Sequence, residues 1–440
     1  MGILIQNAKI MGGAGSFKAA DVAVSDDGII EKVSSSIRPS SSHERVDASG
    51  HVLLPGLVNA HTHAAMSLLR GVGDDLQLFE WLRTCMWPRE AKMDGRSILL
   101  GTRLALCEMI RSGTTCFNDM YFNMDLVAQA TEEAGLRATL GYSMIDRAKS
   151  GEGVAFDFEG KGRKELAIAE TFAKKIQKKK NPLITSSIAP HAPHTCSKEL
   201  LEASAKLAGK LGCVLHVHAA ETRKELAEVL ALTKKGSAAR RPIDYLDSCG
   251  CLTSRTVLAH GVYASKSEVK LVSSRSSSVA HCPVSNLKLA GGGAAPVPEF
   301  LAAGANLSLG TDGAASNNSL DLFQSMKVGA IEQKNFRFDA SAVKAEDYLR
   351  MATEGGAKAL GIRAGKIEKG YLADLVLLDA RSPNLVPFSS NAGWLVYSAG
   401  PQNVTDVMVQ GKWLMRGRKL LTLDEEKIMA EAQKRAEKLG

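Results

Sequence analysis

Residues 52–63 read Val-Leu-Leu-Pro-Gly-Leu-Val-Asn-Ala-His-Thr-His, an apolar run that leads into two histidines one residue apart. The run at 52–58 has the composition of a buried strand, and His61 and His63 follow its end. Side chains two residues apart on a strand point to the same side. Two neutral imidazoles placed in this way can bind one metal ion, so the segment predicts a ligand pair at a strand end.

Short β-rich runs of the same kind recur along the chain, with helical patterns between them. Strands that alternate with helices are typical of parallel pairing through crossover helices. Eight such units favour an α/β fold with a closed (β/α)8 barrel of the TIM type over an open doubly wound sheet. The eight runs cover residues 52–58, 114–118, 137–142, 183–189, 213–218, 256–260, 277–281 and 306–311.

The two ends of the chain have a different pattern. Residues 3–9, 20–25 and 28–33 alternate like β-strands, as do 373–378, 404–409 and 412–414. We expect both ends to build one small β-sandwich, from 1–53 and 363–421, around a catalytic barrel at 54–362. Residues 422–440 are predicted to form a helix, with Thr422 and Glu425 as its capping box.

Metal-ligand residues follow the ends of several predicted barrel strands, where barrel enzymes carry their catalytic groups. The fifth strand ends in His216 and His218, which share a face, and Glu221 follows three residues later. Glu221 can reach a bound water and a substrate without binding the metal. The alternative is a surface glutamate that opens the next helix. We expect His216 to be a buried, hydrogen-bonded neighbour.

The last three predicted strands close with His260, His281 and Asp312. Asp312 completes a set of three histidines and one aspartate with His61, His63 and His218, and such a set leaves a position open for water. A metal held there lowers the pKa of water towards ~7. A two-metal barrel site usually has a carboxylated lysine at the fourth strand end. Residues 186–191 contain no lysine, so we expect one divalent metal.

Motifs along nearly the whole chain resemble the amidohydrolase superfamily, and among its branches the methylthioadenosine/S-adenosylhomocysteine deaminases. The motif at 218–221 is also similar to the ligand and acid pair of adenosine deaminases. The resemblance rests on residues 54–63, 80–90, 190–197, 218–221, 258–261, 281–286, 310–318 and 365–379.

The resemblance implies a role for each matching residue. It makes His61, His63, His218 and Asp312 the ligands of one ion, zinc first and Fe²⁺ second. It makes Glu221 the proton shuttle, which also binds substrate, and it has His260 orient the attacking hydroxide with Asp312. Glu90 and Trp81 match positions that meet the ribose, and His191 one that touches the nucleoside.

The expected reaction is hydrolytic deamination of an adenosine-type nucleoside to the inosine analogue and ammonia. The candidate substrates are 5′-methylthioadenosine, S-adenosylhomocysteine, 5′-deoxyadenosine and adenosine. Arginines after the third strand hold the homocysteine carboxylate in this family, but Arg147 and Arg163 stand in an unfamiliar context. His194 stands where the family often has tyrosine.

Two other functions are compatible with the same barrel. One is a related hydrolase, such as a triazine hydrolase or a guanine deaminase, and the other is an inactive barrel that serves as an assembly scaffold. Glu221 and His260 favour a deaminase, and Glu90 favours a substrate with a ribose. The complete set of predicted ligands argues against the scaffold.

The charge and composition of the 440 residues indicate which kinds of binding partner and which compartment to expect. The net charge is +8, but the lysine run at 174–180 contains no aromatic residue and ends a predicted helix, which favours a solvated face over a nucleic-acid site. Neither a signal peptide nor a run of ~18 apolar residues is visible. The 8 cysteines form no CxxC pair. We expect a cytoplasmic homo-oligomer that acts on a small molecule, without nucleic acid or membrane.

Overall fold

The computed structural model describes residues 2–11, 16–41, 43–148, 155–233 and 239–440. Most strands within these ranges belong to two large sheets. In chain order the strands are β1 (Gly2–Met11), β2 (Phe17–Val24), β3 (Ile30–Ser34), β4 (His43–Asp47), β5 (His51–Pro55), β6 (Leu57–Thr62), β7 (Thr114–Tyr121), β8 (Arg137–Met144), β9 (Arg147–Ala148), β10 (Ala155–Phe156), β11 (Ile184–Pro190), β12 (Val214–Ala219), β13 (Thr256–His260), β14 (Ser278–His281), β15 (Asn306–Leu309), β16 (Leu375–Asp379), β17 (Val404–Val409), β18 (Lys412–Arg416) and β19 (Lys419–Leu420).

Helices separate the strands of the central part of the chain. In chain order they are α1 (Leu78–Trp81), α2 (Trp87–Glu90), α3 (Gly95–Arg111), α4 (Met124–Ala134), α5 (Arg163–Lys179), α6 (Lys198–Leu211), α7 (Arg223–Leu232), α8 (Pro242–Ser248), α9 (Lys266–Ser274), α10 (Pro283–Lys288), α11 (Val297–Ala302), α12 (Ala314–Asn317), α13 (Leu322–Phe336), α14 (Ala345–Arg350), α15 (Gly356–Ala359), α16 (Ala392–Ser398) and α17 (Glu425–Glu437).

The central sheet is the predicted barrel. Its strands follow the order β6, β7, β8, β11, β12, β13, β14, β15, and each neighbouring pair is parallel. Every residue of β7 and of β13 is buried, as expected for strands with helices on one side and the barrel interior on the other. The carboxyl ends of all eight strands therefore lie at one face.

Asn59 closes the barrel between its last and first strands. Its Nδ2 donates to Oγ1 of Thr311 over 2.7 Å, and its Oδ1 accepts from the backbone N of Thr311 over 3.0 Å. The backbone N of Asp312 also donates to the carbonyl of His61 over 3.0 Å. Gly310 permits this approach, because a Cβ there would lie 2.9 Å from the His61 carbonyl oxygen. The closure brings Asp312 beside His61.

Strands from both ends of the chain form the second sheet. Its order is β19, β18, β17, β16, β5, β1, β2, β3, with β4 paired to β1. Strand β5 joins the two ends, because it pairs with β1 on one side and with β16 on the other. Arg137 of β8 forms a buried ion pair of 2.8 Å with Asp374, next to β16, which ties this sheet to the barrel. The predicted fold class is confirmed.

The structure corrects two details of the prediction. Residues 52–58 are not one barrel strand, because β5 belongs to the terminal sheet and the first barrel strand, β6, begins at Leu57. The apolar run continues through Pro55-Gly56, and composition does not reveal the change of sheet. Thr422 does not cap α17: Asp424 accepts from the backbone N of Lys427, while Thr422 donates to the carbonyl of Ala134. The bounds of the four predicted segments stay predictions.

The basic run lies on the solvent-exposed side of α5, as predicted. Lys175 and Lys179 form ion pairs of 2.8 Å and 2.9 Å with Asp125 and Glu132, so acidic side chains offset part of its charge. Among the described residues, no helix is both long and apolar enough to cross a membrane.

Candidate active site

Three histidines from two barrel strands converge at the carboxyl face. His61 lies in β6, His63 follows that strand directly, and His218 lies in β12. One nitrogen from each ring can be chosen so that the three lie within 4.8 Å of one another. The structure therefore brings together the three predicted histidine ligands.

The hydrogen bonds of His63 and His218 fix the orientation of both rings and bring their Nε2 atoms together. Nδ1 of His63 lies 2.7 Å from the carbonyl oxygen of Met120, and Nδ1 of His218 lies 2.7 Å from that of His191. A carbonyl only accepts, so each Nδ1 carries the proton. Burial holds the pKa of His218 well below its usual value, so its Nε2 keeps a lone pair. The two Nε2 atoms face each other at 3.3 Å, an arrangement that fits a shared cation.

His61 is buried, and His216 orients its ring. The two rings share a hydrogen bond of 2.9 Å between Nδ1 of His61 and Nε2 of His216, which confirms His216 as a buried neighbour. Burial lowers the pKa of His61 to about 3, so the ring is neutral at physiological pH. Its Nε2 has no hydrogen-bond partner among the described residues. A buried nitrogen without a partner is costly, and a metal ion bound to this Nε2 would satisfy it.

The carboxylate of Asp312 lies beside the same three histidines. Its Oδ1 lies 3.3 Å from Nε2 of His63 and 3.6 Å from Nε2 of His61. Its Oδ2 accepts from the hydroxyls of Ser285 and Ser316 over 2.6 Å and 2.8 Å. Its Oδ1 also accepts from the backbone N of Gly313 over 2.7 Å. Together these bonds fix the carboxylate with Oδ1 beside the histidines, as in a site whose ligands are fixed by their neighbours.

Glu221 and His260 lie beside this group. Oε1 of Glu221 is 3.8 Å from Nε2 of His260. Burial raises the pKa of Glu221 to about 8, and the negative charge of Asp312 adds to the shift. The amide of Asn286 lies 3.0 Å from Nδ1 of His260 and fixes its ring. A carboxyl group with a pKa near neutral can both give and take a proton.

A cavity of about 280 Å³ opens onto these groups, close to the lower end of the ~300–1,000 Å³ typical of small-molecule sites. Trp81, Glu90 and His191, to which the resemblance assigns substrate contacts, line it. Glu90 accepts a hydrogen bond of 2.6 Å from the hydroxyl of Tyr121. The indole of Trp81 donates to the carbonyl of Val72 over 2.9 Å, so its ring offers the cavity an apolar face.

Arg147 and Arg163 do not line this cavity. Arg147 donates to Glu228 over 2.9 Å and to the carbonyl of His194 over 3.2 Å. Arg163 is mostly exposed and donates to Glu159 over 2.7 Å. His194 does line the cavity. Among the described residues, neither a lysine nor an arginine lines it.

His281 also stays outside the cavity, although it ends a barrel strand. Its Nε2 lies 3.4 Å from a carboxylate oxygen of Glu332 in α13. The residues after it matter more for the site, because Ser285 and Asn286 contact Asp312 and His260. These two, with Ser316 and Tyr121, were not singled out as site residues from the sequence. The sequence contains the motif at 281–286, but the contacts of its side chains depend on how α10 packs.

The fold and the site together define a barrel hydrolase built around a histidine group that could hold a metal ion. A model of the amidohydrolase family matches residues 52–414, so the chain belongs to the amidohydrolase family.

Three comparisons place the chain within this family. It is 40% identical to a 5′-deoxyadenosine deaminase of Methanosphaera stadtmanae, over 99% of both chains. It is also 40% identical to a 5-methylthioadenosine/S-adenosylhomocysteine deaminase of Pyrococcus furiosus, over 97% of this chain and 98% of the relative. A crystal structure of a Xanthomonas campestris adenosine deaminase with bound zinc superposes with a TM-score of 0.91 at 36% identity, over 99% and 98% of the two chains.

Proposed function

We propose that this chain catalyses the hydrolytic deamination of an adenosine-type nucleoside to the inosine analogue and ammonia. The observation that carries the proposal is the meeting of two elements at one cavity: the paired Nε2 atoms of His63 and His218, and a carboxyl group, Glu221, whose pKa lies near neutral. The relatives described above, which are deaminases of adenosine derivatives, support the same reaction.

His61, His63, His218 and Asp312 would hold one divalent ion. Imidazole nitrogens and a carboxylate oxygen are ligands that zinc prefers, and Fe²⁺ is the second candidate. When bound, such an ion supplies a Lewis acid that makes water a nucleophile near neutral pH. The neutral state of His61 and the unpaired Nε2 of that ring suit the role of ligand.

Glu221 would move the protons of the reaction. It takes a proton from the water that attacks C6 of the adenine ring and delivers one to N1, so that C6 becomes more electrophilic. Glu221 then carries the remaining proton of the C6 hydroxyl to the amino group, the C6–N bond breaks, ammonia leaves, and C6 keeps the oxygen as the carbonyl of the inosine analogue. His260, held by Asn286, hydrogen-bonds the attacking water, and Asp312 stabilises the same position.

Glu90 would bind the ribose, because each carboxylate oxygen can accept one hydroxyl of a vicinal diol. Tyr121 occupies Oε1 of Glu90, and Oε2 is left for the sugar or for an exchange with Tyr121. Trp81 and His191 would complete the nucleoside pocket. Arg147 is paired with Glu228, and Arg163 lies outside the cavity, so a substrate with a neutral 5′ substituent is favoured over S-adenosylhomocysteine.

We also propose a cytoplasmic homo-oligomer that binds no nucleic acid. All 8 cysteines are free, which suits a reducing compartment. Ile331, Phe336 and Phe338 are exposed along the end of α13, and Phe338 is 98% exposed. A second copy of the chain is our proposed partner for these side chains, and light scattering coupled to size exclusion would measure the subunit number.

Ammonia release from a substrate panel, with and without a chelator, tests the proposed reaction. The panel holds adenosine, 5′-deoxyadenosine, 5′-methylthioadenosine, S-adenosylhomocysteine, guanine and an aminotriazine. We expect chelator-sensitive release from the adenosine derivatives. Release from guanine or the triazine alone would replace the proposal with another hydrolase, and release from none would favour a scaffold.

A further inference from the structure

We infer that Glu225 is a positioning residue for Glu221, an inference that rests on the proposed function of Glu221. The turn that connects β12 to α7 presents the catalytic carboxyl, and Glu225 clamps that turn from α7. None of the roles assigned above includes Glu225.

The turn that presents Glu221 has an unusual backbone. Strand β12 ends at Ala219, and α7 begins at Arg223. Between them Ala220 adopts φ +55°, the left-handed region that residues other than glycine rarely occupy. Such a conformation persists only where the surroundings enforce it.

The carboxylate of Glu225 enforces this conformation. Its Oε1 accepts from the backbone N of Ala220 over 3.0 Å, and its Oε2 accepts from the backbone N of Glu221 over 2.7 Å. The side chain is buried, with 2% of its surface exposed. Both partners are donors, so a carboxylate suits them and an amide side chain would turn its NH₂ towards one of them.

The end of the next strand holds the turn from the other side. The carbonyl of Ala220 accepts from the N of Tyr263 over 2.8 Å, and that of Ala219 accepts from the N of Gly261 over 3.0 Å. Gly261 directly follows His260. The same backbone contacts therefore set Glu221 relative to His260. Among the described residues, none donates a hydrogen bond to the Glu221 carboxyl itself, so the backbone fixes its direction.

A second glutamate shows that this arrangement differs from ordinary helix capping. Glu268 is the third residue of α9, as Glu225 is of α7, and both are buried. Glu268 accepts from the backbone N of its own cap residue, Ser265, over 2.8 Å, which makes a reciprocal capping box. Glu225 reaches beyond its cap, Thr222, to Ala220 and Glu221. Only the second arrangement acts on a catalytic residue.

A double-mutant cycle tests the inference. Glu225→Gln should lower kcat about 10- to 100-fold, the loss expected for a misplacement of ~1 Å, while KM changes little. In a Glu221→Gln background the same substitution should change kcat hardly at all, because there is no carboxyl group left to position. The control Glu268→Gln should lower thermal stability and leave kcat within a few fold. An equal loss of kcat from Glu225→Gln in both backgrounds would overturn the inference.

Two further measurements keep the test independent of folding and of the reaction. Glycine adopts a left-handed backbone without strain, so Ala220→Gly in the Glu225→Gln background should restore part of kcat. Hydrogen exchange at the amides of Ala220 and Glu221 should be faster in Glu225→Gln than in the wild type. Unchanged exchange would overturn the clamp even in a chain that deaminates nothing. Loss of wild-type deamination alone would overturn only the proposed function.

Discussion

The hydroxyl of Tyr121 donates to Oε1 of Glu90 over 2.6 Å, and both side chains line the cavity that holds the histidine group. Tyr121 lies at the end of β7, whereas Glu90 ends the short helix α2. The bond ties the rim of the cavity to the barrel. It also fixes the direction of the Glu90 carboxylate and leaves Oε2 for a sugar hydroxyl.

Glu90→Gln should raise KM for 5′-deoxyadenosine with a smaller effect on kcat, because a charge-assisted bond to the ribose is lost. Such bonds contribute about 1.5–3 kcal/mol, which corresponds to a rise of ~10- to 150-fold. Tyr121→Phe should have a smaller effect in the same direction. Steady-state kinetics measure both. A 2′,3′-dideoxy substrate is the control, since it has no diol and should not distinguish the variant from the wild type.

Glu221→Gln should lower kcat by ~10²–10⁴, the usual contribution of general acid–base catalysis. The amide keeps the shape of the side chain but does not move protons. Metal content, measured by elemental analysis, should stay at the wild-type value because Glu221 is not a proposed ligand. Turnover close to that of the wild type would remove Glu221 from the mechanism.

The stability of the metal-free protein should depend on pH through Glu221. Burial raises its pKa in the folded chain from 4.5 to about 8, so the folded state binds this proton more tightly than the unfolded state. The resulting stabilisation is fully present below about pH 4.5 and is lost as the pH rises through about 8. Glu221→Gln has no such titration. Its Tm relative to the wild type should therefore be higher at about pH 8.5 than at about pH 5, and a pH-independent difference would contradict this assignment.

The enzyme should prefer substrates whose 5′ substituent is neutral. We expect kcat/KM to be at least ~10-fold higher for 5′-methylthioadenosine than for S-adenosylhomocysteine, because an unpaired carboxylate loses its hydration without a compensating cation. Glu228→Gln frees Arg147 from its partner and should narrow the gap. Equal kcat/KM values for the two substrates in the wild type would show that a cationic side chain reaches the homocysteine carboxylate.

Sequence periodicity predicted the parts of the site that lie on strand ends. His61, His63, His218, His260 and Asp312 follow apolar runs, and parallel strands of a barrel bring their carboxyl ends together whatever the details of packing. His216 was predicted to be a buried, hydrogen-bonded neighbour, and the structure confirms this. The convergence of the strand ends does not depend on the lengths of the loops.

Site residues whose role depends on the packing of helices could not be predicted from sequence periodicity. Ser285 of α10 and Ser316 of α12 contact Asp312 from two separate helices, and Tyr121 contacts Glu90 although 31 positions separate them in the sequence. His281 has the same sequence signal as His260 but contacts Glu332 of α13. The end of a strand shows which residues are near the barrel mouth, and helix packing decides which of them face the cavity.

The most direct test of the account is ammonia release by metal-depleted protein during titration with Zn²⁺. The account predicts no activity without metal and a linear return that saturates at one ion per chain, with no return in His218→Ala. Full activity in protein shown to be free of metal, or saturation only at two ions, would contradict a single ion held by His61, His63, His218 and Asp312.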